Sequence, residues 1–282
     1  MISIVGMSLS TLAKGNEMLS EDQVRRFHRD GFVKGGRVLG DAEIEELQEE
    51  VMRVIRDKDD PRLPQSVRVH NLASVDAPVW QIVNIWQASD NYARLIRNPQ
   101  ITEEIAELTS AAELRIWHDQ IQYKPAATGG VNMWHQDAPL WPILTPMTQV
   151  TAWVALDDVD VENGCMSMVP GSHRWGDRQA FLSTLKSFTD MPAEFDGHAV
   201  EIVDCPVRRG EVHFHHALTW HGSRANTSGR PRRAIAMHFM TDETRYVAAG
   251  DHIMKRFVNV ADGEVLSGLS FPLVWSASGG TA

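Results

Sequence analysis

The run LRIWHDQIQYK, residues 114–124, marks the point at which the periodicity of this sequence changes. Upstream of it apolar residues recur at helical spacing, whereas from here on they alternate with polar residues over short segments. A period of two is typical of β-strands, because successive side chains of a strand point to opposite faces of the sheet. The same texture recurs between turns rich in Pro, Gly and Asn, in 147–156, 164–169, 198–203, 211–216 and 234–240. The chain beyond residue 112 is therefore predicted to be mostly β.

This number of short strands favours an antiparallel double-sheet barrel, the jelly roll. Helices are expected ahead of it and on the outside of one sheet. A capping box at Ser20–Gln23 predicts a first helix that ends at Gly31. Asp41 is expected to cap a second, amphipathic helix, and Pro99 to begin a third. Segment 80–86 is interpreted as either a strand or a buried turn.

The composition indicates a globular protein with a small-molecule partner. At 282 residues, 43% of them hydrophobic, the chain can bury a sizeable core, and we predict one domain over 19–282 behind a flexible leader, 1–18. The formal net charge of -10 gives no long-range attraction to nucleic acid or to an anionic membrane. Cys165 and Cys205 form no CxxC pair, so neither a disulfide framework nor a thiolate metal site is expected. With no signal peptide and no long apolar run, a cytoplasmic protein is expected.

A His-x-Asp pattern occurs twice, in two different contexts. His28 and Asp30 fall near the end of the first predicted helix, where residues two apart point about 200° away from each other and cannot chelate one ion. His135 and Asp137 lie in the stretch WHQDAP, residues 134–139, after a turn-rich segment and in an extended context. Residues i and i+2 of an extended chain project to the same face. This second pair could therefore bind one metal ion, or could simply hydrogen-bond on a strand.

A candidate for a third ligand favours the metal site over the simple hydrogen bond. His221 lies 84 positions after Asp137, just beyond a predicted strand. Two histidines and one carboxylate on one face of the ion are the arrangement of non-haem Fe(II) oxygenases, whereas zinc more often takes a closed tetrahedral set. Three other histidines compete with His221 for this place. Alternation predicts that His213 and His215 share one face of their strand and that His216 lies on the other.

Taken in order, a set of short motifs resembles the phytanoyl-CoA dioxygenase family of Fe(II)/2-oxoglutarate-dependent oxygenases. The opening 19–33 is similar to the N-terminal segment of that family. The further motifs are His135-Gln136-Asp137, Trp153, Asn163-Gly164-Cys165-Met166, Val169-Pro170-Gly171-Ser172-His173, His221-Gly222-Ser223, Asn226 and Arg232. The resemblance implies a double-stranded β-helix of cupin-like type. It also implies that His135, Asp137 and His221 are the iron ligands and that 163–174 is a structural corner, in which His173 is not a ligand.

The resemblance further implies a cosubstrate site. Arg232, eleven residues after His221, is at the position where the family holds the far carboxylate of 2-oxoglutarate, and a guanidinium binds a carboxylate with two hydrogen bonds. Ser223 could add a hydroxyl, and Gln120 and Trp153 are further candidates for contacts with the cosubstrate. Alternation places Trp153 opposite the apolar side chains of its strand and toward the interior. The neighbouring arginines, Arg224 and Arg230, are interpreted as part of a solvated loop.

The implied reaction consumes O2 and 2-oxoglutarate, releases succinate and CO2, and hydroxylates an unactivated C–H bond of a small-molecule metabolite. Relatives that lack the carboxylate use its place for halide, so Asp137 favours hydroxylation over halogenation. A cupin-like metal-binding isomerase or ligand sensor is the alternative, and it would not require Arg232. No basic patch for an acyl-CoA is evident in this acidic sequence, and the substrate is left unassigned. Three tryptophans near the motif are candidates for a substrate pocket, namely Trp117, Trp134 and Trp141.

Overall fold

A computed structural model describes residues 18–279, so the predicted leader lies outside the described residues apart from Met18. The α-helices of this region are α1 (Glu21–Asp30), α2 (Asp41–Arg56), α3 (Asp90–Leu95), α4 (Pro99–Thr109) and α5 (Gln179–Leu182). Short 3-10 turns cover Ile85–Gln87, Ala138–Leu140, Ser172–Trp175, Phe188–Asp190 and Ile253–Phe257. Except for α5, every α-helix precedes the long strands, as predicted.

The strands number sixteen within residues 18–279, and most of them follow residue 112. They are β1 (Phe32–Arg37), β2 (Arg68–Asn71), β3 (Trp80–Val83), β4 (Glu113–Lys124), β5 (Asn132–His135), β6 (Leu144–Thr145), β7 (Val150–Ala155), β8 (Met166–Met168), β9 (Glu194–Phe195), β10 (His198–Ala199), β11 (Val203–Cys205), β12 (Glu211–His216), β13 (His221–Ser223), β14 (Arg232–Thr241), β15 (Arg245–Tyr246) and β16 (Leu273–Ser276).

Two antiparallel sheets form the body of the molecule. The large sheet has the order β1-β12-β7-β14-β4-β3-β2, with β16 also paired to β4, and the small sheet has the order β11-β8-β13-β5. Strands β14 and β4 form the longest ladder, which runs from the pair Arg232 and Lys124 to the pair Thr241 and Leu114. Side chains of both sheets meet in one buried cluster that contains Trp153 and Met166. The mostly β, double-sheet jelly roll predicted from the sequence is confirmed.

The main hydrophobic core lies between the large sheet and the N-terminal helices. Strand β7 divides its side chains as its alternation predicts: Val150, Ala152 and Val154 join the core beneath the helices. Trp153 points the other way and packs between the sheets. Helix α2 contributes its apolar stripe to the same core, while its glutamates cover the outer face. The helices thus cover one side of the large sheet and leave the inner side for a site.

Several boundaries differ from the predictions for local physical reasons. Helix α2 is capped by Gly40, whose backbone N–H donates to the Glu43 carboxylate, so Asp41 is the first helical residue and not the cap. Segment 198–203 is not one strand. It is divided between a small hairpin, which turns at Gly197 with φ +77, and the start of β11. Segment 80–86, predicted to be either a strand or a buried turn, contains strand β3 followed by the start of a 3-10 turn. Strand β3 and its neighbour β2 extend the large sheet at one edge.

Both cysteines are buried and unpaired. Burial, followed by the charge of Asp204, raises the pKa of Cys165 to about 11, so this thiol is protonated at neutral pH. Metal ligation requires the thiolate, and neither cysteine belongs to the group of potential metal ligands in the described region. No helix within residues 18–279 is long and apolar enough to cross a membrane.

Candidate metal centre

The three predicted ligands meet at one point between the sheets. His135 is the last residue of β5 and His221 the first of β13, and the antiparallel pairing of these strands sets the two histidines opposite each other. Asp137 follows two residues after His135. One ligand atom from each side chain lies within 4.8 Å of the others, and Oδ1 of Asp137 is 3.7 Å from Nε2 of both histidines. The three side chains can therefore hold one metal ion.

The position of Asp137 corrects one step of the sequence argument. The strand ends at His135, and Asp137 has helical backbone angles, φ -73 and ψ -53, at the start of the turn Ala138–Leu140. Its backbone N–H and that of Ala138 both donate to the carbonyl of Ala217. The carboxylate thus reaches the ion because the chain turns after the strand, not because it shares a strand face with His135.

Both imidazole rings are oriented by their own backbone. Nδ1 of His135 lies 2.8 Å from the carbonyl oxygen of Met133, and Nδ1 of His221 lies 2.9 Å from that of Thr219. A carbonyl can only accept, so Nδ1 carries the proton in each ring and Nε2 presents its lone pair. In both cases the acceptor is two residues upstream. The two nitrogens that face Asp137 are therefore free to bind a metal.

The second oxygen of Asp137 is held by contacts that were not predicted from the sequence. Oδ2 accepts from the Thr151 hydroxyl at 3.3 Å and lies 3.3 Å from Nε2 of His215. The Thr151 hydroxyl also lies 2.7 Å from Nδ1 of His238. These contacts come from β7, β12 and β14 of the large sheet, so no short motif contains them. They direct Oδ1 toward the histidines of the small sheet.

The electrostatics of the group suit a cation. Burial, and then the neighbouring His221, lowers the pKa of His135 to about 4, and burial also lowers the pKa of His221. Burial opposes the ionisation of Asp137, but the surrounding histidines outweigh it and hold its pKa well below the usual range. At neutral pH the group consists of two neutral imidazoles and a carboxylate. This is the protonation state in which these side chains bind metals.

The competing histidines lie elsewhere, with the orientations that alternation predicts. His213 and His215 point inward, where His213 stacks on Phe32 with ring centroids 5.7 Å apart and His215 contacts Asp137. His216 faces the other way and lies 5.4 Å from the ring of His173, so neither of these two belongs to the ligand group. The other His-x-Asp pattern is also separate, since Asp30 ends α1 and pairs with Arg29 at 2.7 Å.

Arg232 lies in a small compartment beside the proposed ligands. Its side chain is 1% exposed, and its guanidinium lies 5.0 Å from the ring centroid of Trp153. Nε donates to the Gly164 carbonyl at 3.2 Å, while Nη1 has no hydrogen-bond partner in the described region. Burial lowers the pKa of Arg232 to about 10, which keeps it charged at neutral pH. A buried cation with an unused donor is the arrangement expected where an anion binds.

Neighbouring arginines provide a contrast. Arg224 pairs with Asp204 at 2.7 Å, Arg230 with Asp160 at 2.6 Å and Arg233 with Asp157 at 2.7 Å. The partly exposed Arg224 and Arg230 fit the loop interpretation made from the sequence. Of the four arginines in 224–233, Arg232 alone lacks an acidic partner among the residues described.

Lys124 is a buried basic side chain beside this compartment, and it was not predicted from the sequence; burial, followed by the charge of Arg232, holds its pKa well below the usual range. It is opposite Arg232 in the β4–β14 ladder, and its Nζ donates to the Ser223 hydroxyl at 2.7 Å and to the Arg224 carbonyl at 2.6 Å. Because the Ser223 oxygen accepts this bond, its own proton remains available to a ligand. The signal was present, since Lys124 continues the alternation of Gln120 along β4.

A larger cavity of about 650 Å³ opens on the other side of the ligands. It meets the small compartment at five shared residues, which are Gln120, Gln122, Asn132, His135 and Asp137. Trp141 lines this cavity. The other two candidate tryptophans are core residues: Trp134 packs on Phe188 at 4.8 Å and Trp117 on Phe271 at 5.5 Å. The proposed ligands thus stand between two spaces of very different size.

Known proteins are similar to this chain over most of its length. Residues 27–234 match the family model of phytanoyl-CoA dioxygenase. The peroxisomal phytanoyl-CoA dioxygenase of Rattus norvegicus is 23% identical, over 92% of this chain and 81% of that protein.

Two solved structures from nogalamycin biosynthesis are also similar. The non-haem alpha-ketoglutarate-dependent carbocyclase SnoK has a TM-score of 0.74 and 29% identity, over 91% of this chain and 97% of its own. The epimerase SnoN in complex with Fe3+, alpha-ketoglutarate (2-oxoglutarate) and nogalamycin RO has a TM-score of 0.73 and 27% identity, over 90% and 98%. With most of its length matched by the family model, this chain belongs to the phytanoyl-CoA dioxygenase family.

Proposed function

We propose that this chain is an Fe(II)- and 2-oxoglutarate-dependent dioxygenase that oxidises a C–H bond of a small molecule. In this proposal His135, Asp137 and His221 hold the iron, and Arg232 holds the cosubstrate. The observation that carries it is the unpaired guanidinium of Arg232, which is buried in the compartment that also contains the three ligand side chains. A cupin-like metal-binding isomerase or ligand sensor that does not bind 2-oxoglutarate would not require this buried charge.

The donor set fits iron. Two neutral imidazoles and one carboxylate suit Fe(II) and leave positions open on the ion. When bound, the iron would supply the activation of O2 that is coupled to conversion of 2-oxoglutarate into succinate and CO2. The Nδ1 bonds to Met133 and Thr219 keep both rings in the ligating tautomer. The contacts of His215 and Thr151 with Oδ2 leave Oδ1 of Asp137 for the metal.

Arg232 and Ser223 would bind the far carboxylate of 2-oxoglutarate. Arg232 offers its unused Nη1, and Ser223 offers a hydroxyl proton that Lys124 leaves free. The ring of Trp153 lies against the Arg232 guanidinium, and Gln120 lines the same compartment. The compartment has only about 20 Å³ of free volume, room for roughly one water molecule. Binding therefore requires its side chains to move apart.

The larger cavity would receive the substrate. Its lining reaches the proposed ligands through His135 and Asp137, so a bound molecule presents a C–H bond at the metal. Hydroxylation is the outcome that we expect, because Asp137 occupies the place that a halide would need. Relatives named as a carbocyclase and an epimerase indicate that ring closure or inversion at carbon is a second possible outcome of the same C–H chemistry.

Succinate formation tests the proposal. Purified protein is supplied with Fe(II), 2-oxoglutarate, ascorbate and air, and succinate is measured with and without a library of candidate substrates. We expect slow uncoupled turnover without substrate and stimulation by one or more members of the library. If succinate does not form under any of these conditions, the proposal is wrong.

The matched pair Arg232→Gln and Arg230→Gln separates an oxygenase from a metal-binding sensor. The first variant is expected to lose at least tenfold in 2-oxoglutarate affinity, measured calorimetrically with Mn(II) in place of iron, because the buried charge is its anchor. The second changes an exposed arginine of the loop just before β14 and should bind normally. Equal affinity of the two variants would favour the sensor. Circular dichroism of both variants checks that the fold is retained. Ser223→Ala, a smaller change at the other proposed contact of the cosubstrate carboxylate, is measured in the same way.

A further inference from the structure

We propose that the substrate of this site is an apolar small molecule that carries an anionic group, bound by Arg68 and Arg256 at the end of the large cavity away from the metal. The inference rests on the proposed function, because it assigns the substrate class of the same site. Three observations support it: the charges that line the cavity, the distance that the sheet sets between Arg68 and the ligands, and the apolar walls.

The cavity is cationic in a chain whose net charge is -10. Arg68 and Arg256 both line it, while Asp137, a proposed metal ligand, is the one acidic residue in its described lining. The side chain of the exposed Arg68 has no hydrogen-bond or ion-pair partner within residues 18–279, although its charge contributes, after burial, to the lowered pKa of His70. Arg256 donates to the Gln65 carbonyl at 2.7 Å and has no acidic partner there either. Two guanidinium groups thus face one cavity without a counterion.

Strand register places the backbone of Arg68 at a defined distance from Gln120, which lies beside the proposed ligands. Arg68 on β2 pairs with Val83 on β3, and Val83 pairs with Gln120 on β4, so the three residues form one row across the sheet. Neighbouring strands are about 4.8 Å apart, which puts the backbones of Arg68 and Gln120 about 10 Å apart. Gln120 lines both cavities beside the proposed ligands. The strand position that carries Arg68 is therefore about two strand spacings from the part of the cavity that adjoins the proposed ligands.

Arg256 lies at the same end of the cavity. Its guanidinium contacts the Gln65 carbonyl, three residues before Arg68, and lies 4.7 Å from the ring centroid of Phe257. Asn84 also connects the two segments, because its amide contacts both the Ser66 carbonyl and the Met254 sulfur. The turn Ile253–Phe257 and strand β2 thus present their two arginines together. A carboxylate or a phosphate is the ligand that such a pair recognises best.

The remaining walls are partly apolar, and the rest of their side chains are uncharged polar groups and histidines. Trp141, Val83 and Met254 line the cavity, and so do several large hydrophobic side chains that are unusually exposed, namely Leu72, Val131, Met133, Leu140 and Ile253. Contiguous exposed apolar surface marks a binding site more often than a free surface. A volume of about 650 Å³ is in the range that holds a drug-sized molecule. The body of the proposed substrate would therefore pack its apolar surface against these side chains.

Matched probes that differ only in the head group test this assignment. Dodecanoate, dodecyl phosphate, dodecanol and dodecyltrimethylammonium, below their micelle concentrations, are titrated calorimetrically into protein saturated with Mn(II) and 2-oxoglutarate. Pyrenebutyrate and pyrenebutanol, followed by fluorescence, form a rigid aromatic pair. We expect at least one anion to bind ten times more tightly than its alcohol, and the ammonium probe to bind weakest. The tighter of the two dodecyl anions identifies the head group as carboxylate or phosphate.

Arginine variants locate the head group. Arg68→Gln and Arg256→Gln should each lower anion affinity at least fivefold and leave alcohol affinity unchanged. Arg208→Gln, an exposed arginine outside the cavity, is the control and should bind like the unchanged protein. The proposal is overturned if no probe binds, if alcohols bind as tightly as anions, or if both arginine variants keep full anion affinity.

The same preparations are assayed for succinate and for 2-oxoglutarate affinity. A failure of the proposed function would remove those two signals and leave the anion preference intact. A failure of the substrate assignment would remove the anion preference and leave succinate formation and 2-oxoglutarate affinity intact.

Discussion

Nε2 of His215 lies 3.3 Å from Oδ2 of Asp137, the carboxylate oxygen that does not face the other two proposed ligands. The side chain comes from the large sheet, whereas His135 and His221 belong to the small one. A histidine that the sequence offered as a competing ligand is thus a positioning residue for the carboxylate. Its role is to fix the direction of Asp137 across the gap between the sheets.

Replacing His215 should weaken metal binding without removing a ligand. We expect His215→Leu to lower Mn(II) or Co(II) affinity about 10- to 100-fold, the usual effect of losing a group that orients a ligand. Calorimetric titration gives the affinity, and the Co(II) absorption spectrum reports the changed geometry. His216→Leu alters the next residue on the opposite face of β12 and should leave both unchanged. Identical metal binding by the two variants would exclude the positioning role.

The two His-x-Asp patterns provide an internal control for the metal site. Mn(II) should raise the melting temperature of the unchanged protein, since a ligand that binds only the folded state stabilises it. Asp137→Ala should abolish this rise, because it removes the carboxylate of the ligand group. Asp30→Ala breaks only an ion pair with Arg29 and should retain it. A metal-dependent rise that survives in Asp137→Ala would contradict the assignment.

Glu104 should make folding stability depend on pH. It is buried in α4, Oε2 has no hydrogen-bond partner in the described region, and burial raises its pKa from 4.5 to about 7. The folded state therefore holds this proton more tightly than the unfolded chain. The resulting stability is fully present below pH 4.5 and is lost as pH rises through about 7, by on the order of 2 kcal/mol.

Urea unfolding of Glu104→Gln at pH 5 and pH 8 measures this effect. The variant should lose most of the pH dependence in this window, while Glu103→Gln, an exposed change on the same helix, should keep it. An unchanged pH dependence in Glu104→Gln would show that another group is responsible.

Gly31 combines a left-handed backbone with a crowded surrounding. It ends α1 at φ +86, and an added Cβ would lie 2.4 Å from Nδ1 of His173 and 2.6 Å from the Thr219 hydroxyl. Gly263 has a similar φ of +79, but no atom lies within 4 Å of an added Cβ. We expect Gly263→Ala to cost roughly 1 to 2 kcal/mol from backbone strain, and Gly31→Ala at least about 1 kcal/mol more. Equal free energies of unfolding for Gly31→Ala and Gly263→Ala would show that the crowding around Gly31 adds no cost.

Features encoded over a few residues were predictable. The alternation of β7 and β12 correctly oriented Trp153, His213 and His215, and the capping box at Ser20 correctly began α1. These predictions succeeded because side-chain direction in a strand or helix depends on the local backbone alone. The choice of His221 depended on a family resemblance, because spacing by itself left three other histidines open.

Features that depend on strand register could not be predicted. Thr151 and His238 are in contact because β7 and β14 are neighbours in the large sheet. The two residues are far apart in the sequence, so no local pattern predicts this contact. Arg68 and Arg256 are 188 positions apart and face one cavity only because the edge strand and a late turn come together. Asp137 lies beside the histidines because the chain turns after His135, and hydrogen bonds to the Ala217 carbonyl stabilise this turn. The sequence of the motif did not predict the turn.

The row from Arg68 through Val83 to Gln120 joins two parts of the site that can be changed separately in sequence. One part contains the proposed metal and cosubstrate residues, and the other contains the arginines proposed to bind the substrate. His221 and Arg232, which are proposed to hold the metal and the cosubstrate, lie on β13 and β14, and each of these strands has a neighbour on both sides. Strand β2 is at the sheet edge, with a neighbour on one side only, and the turn Ile253–Phe257 lies outside the sheets. Exchange of these peripheral segments would alter which molecule is accepted while the oxidative machinery stays intact. Such a division of labour makes this scaffold suitable for laboratory evolution toward new substrates.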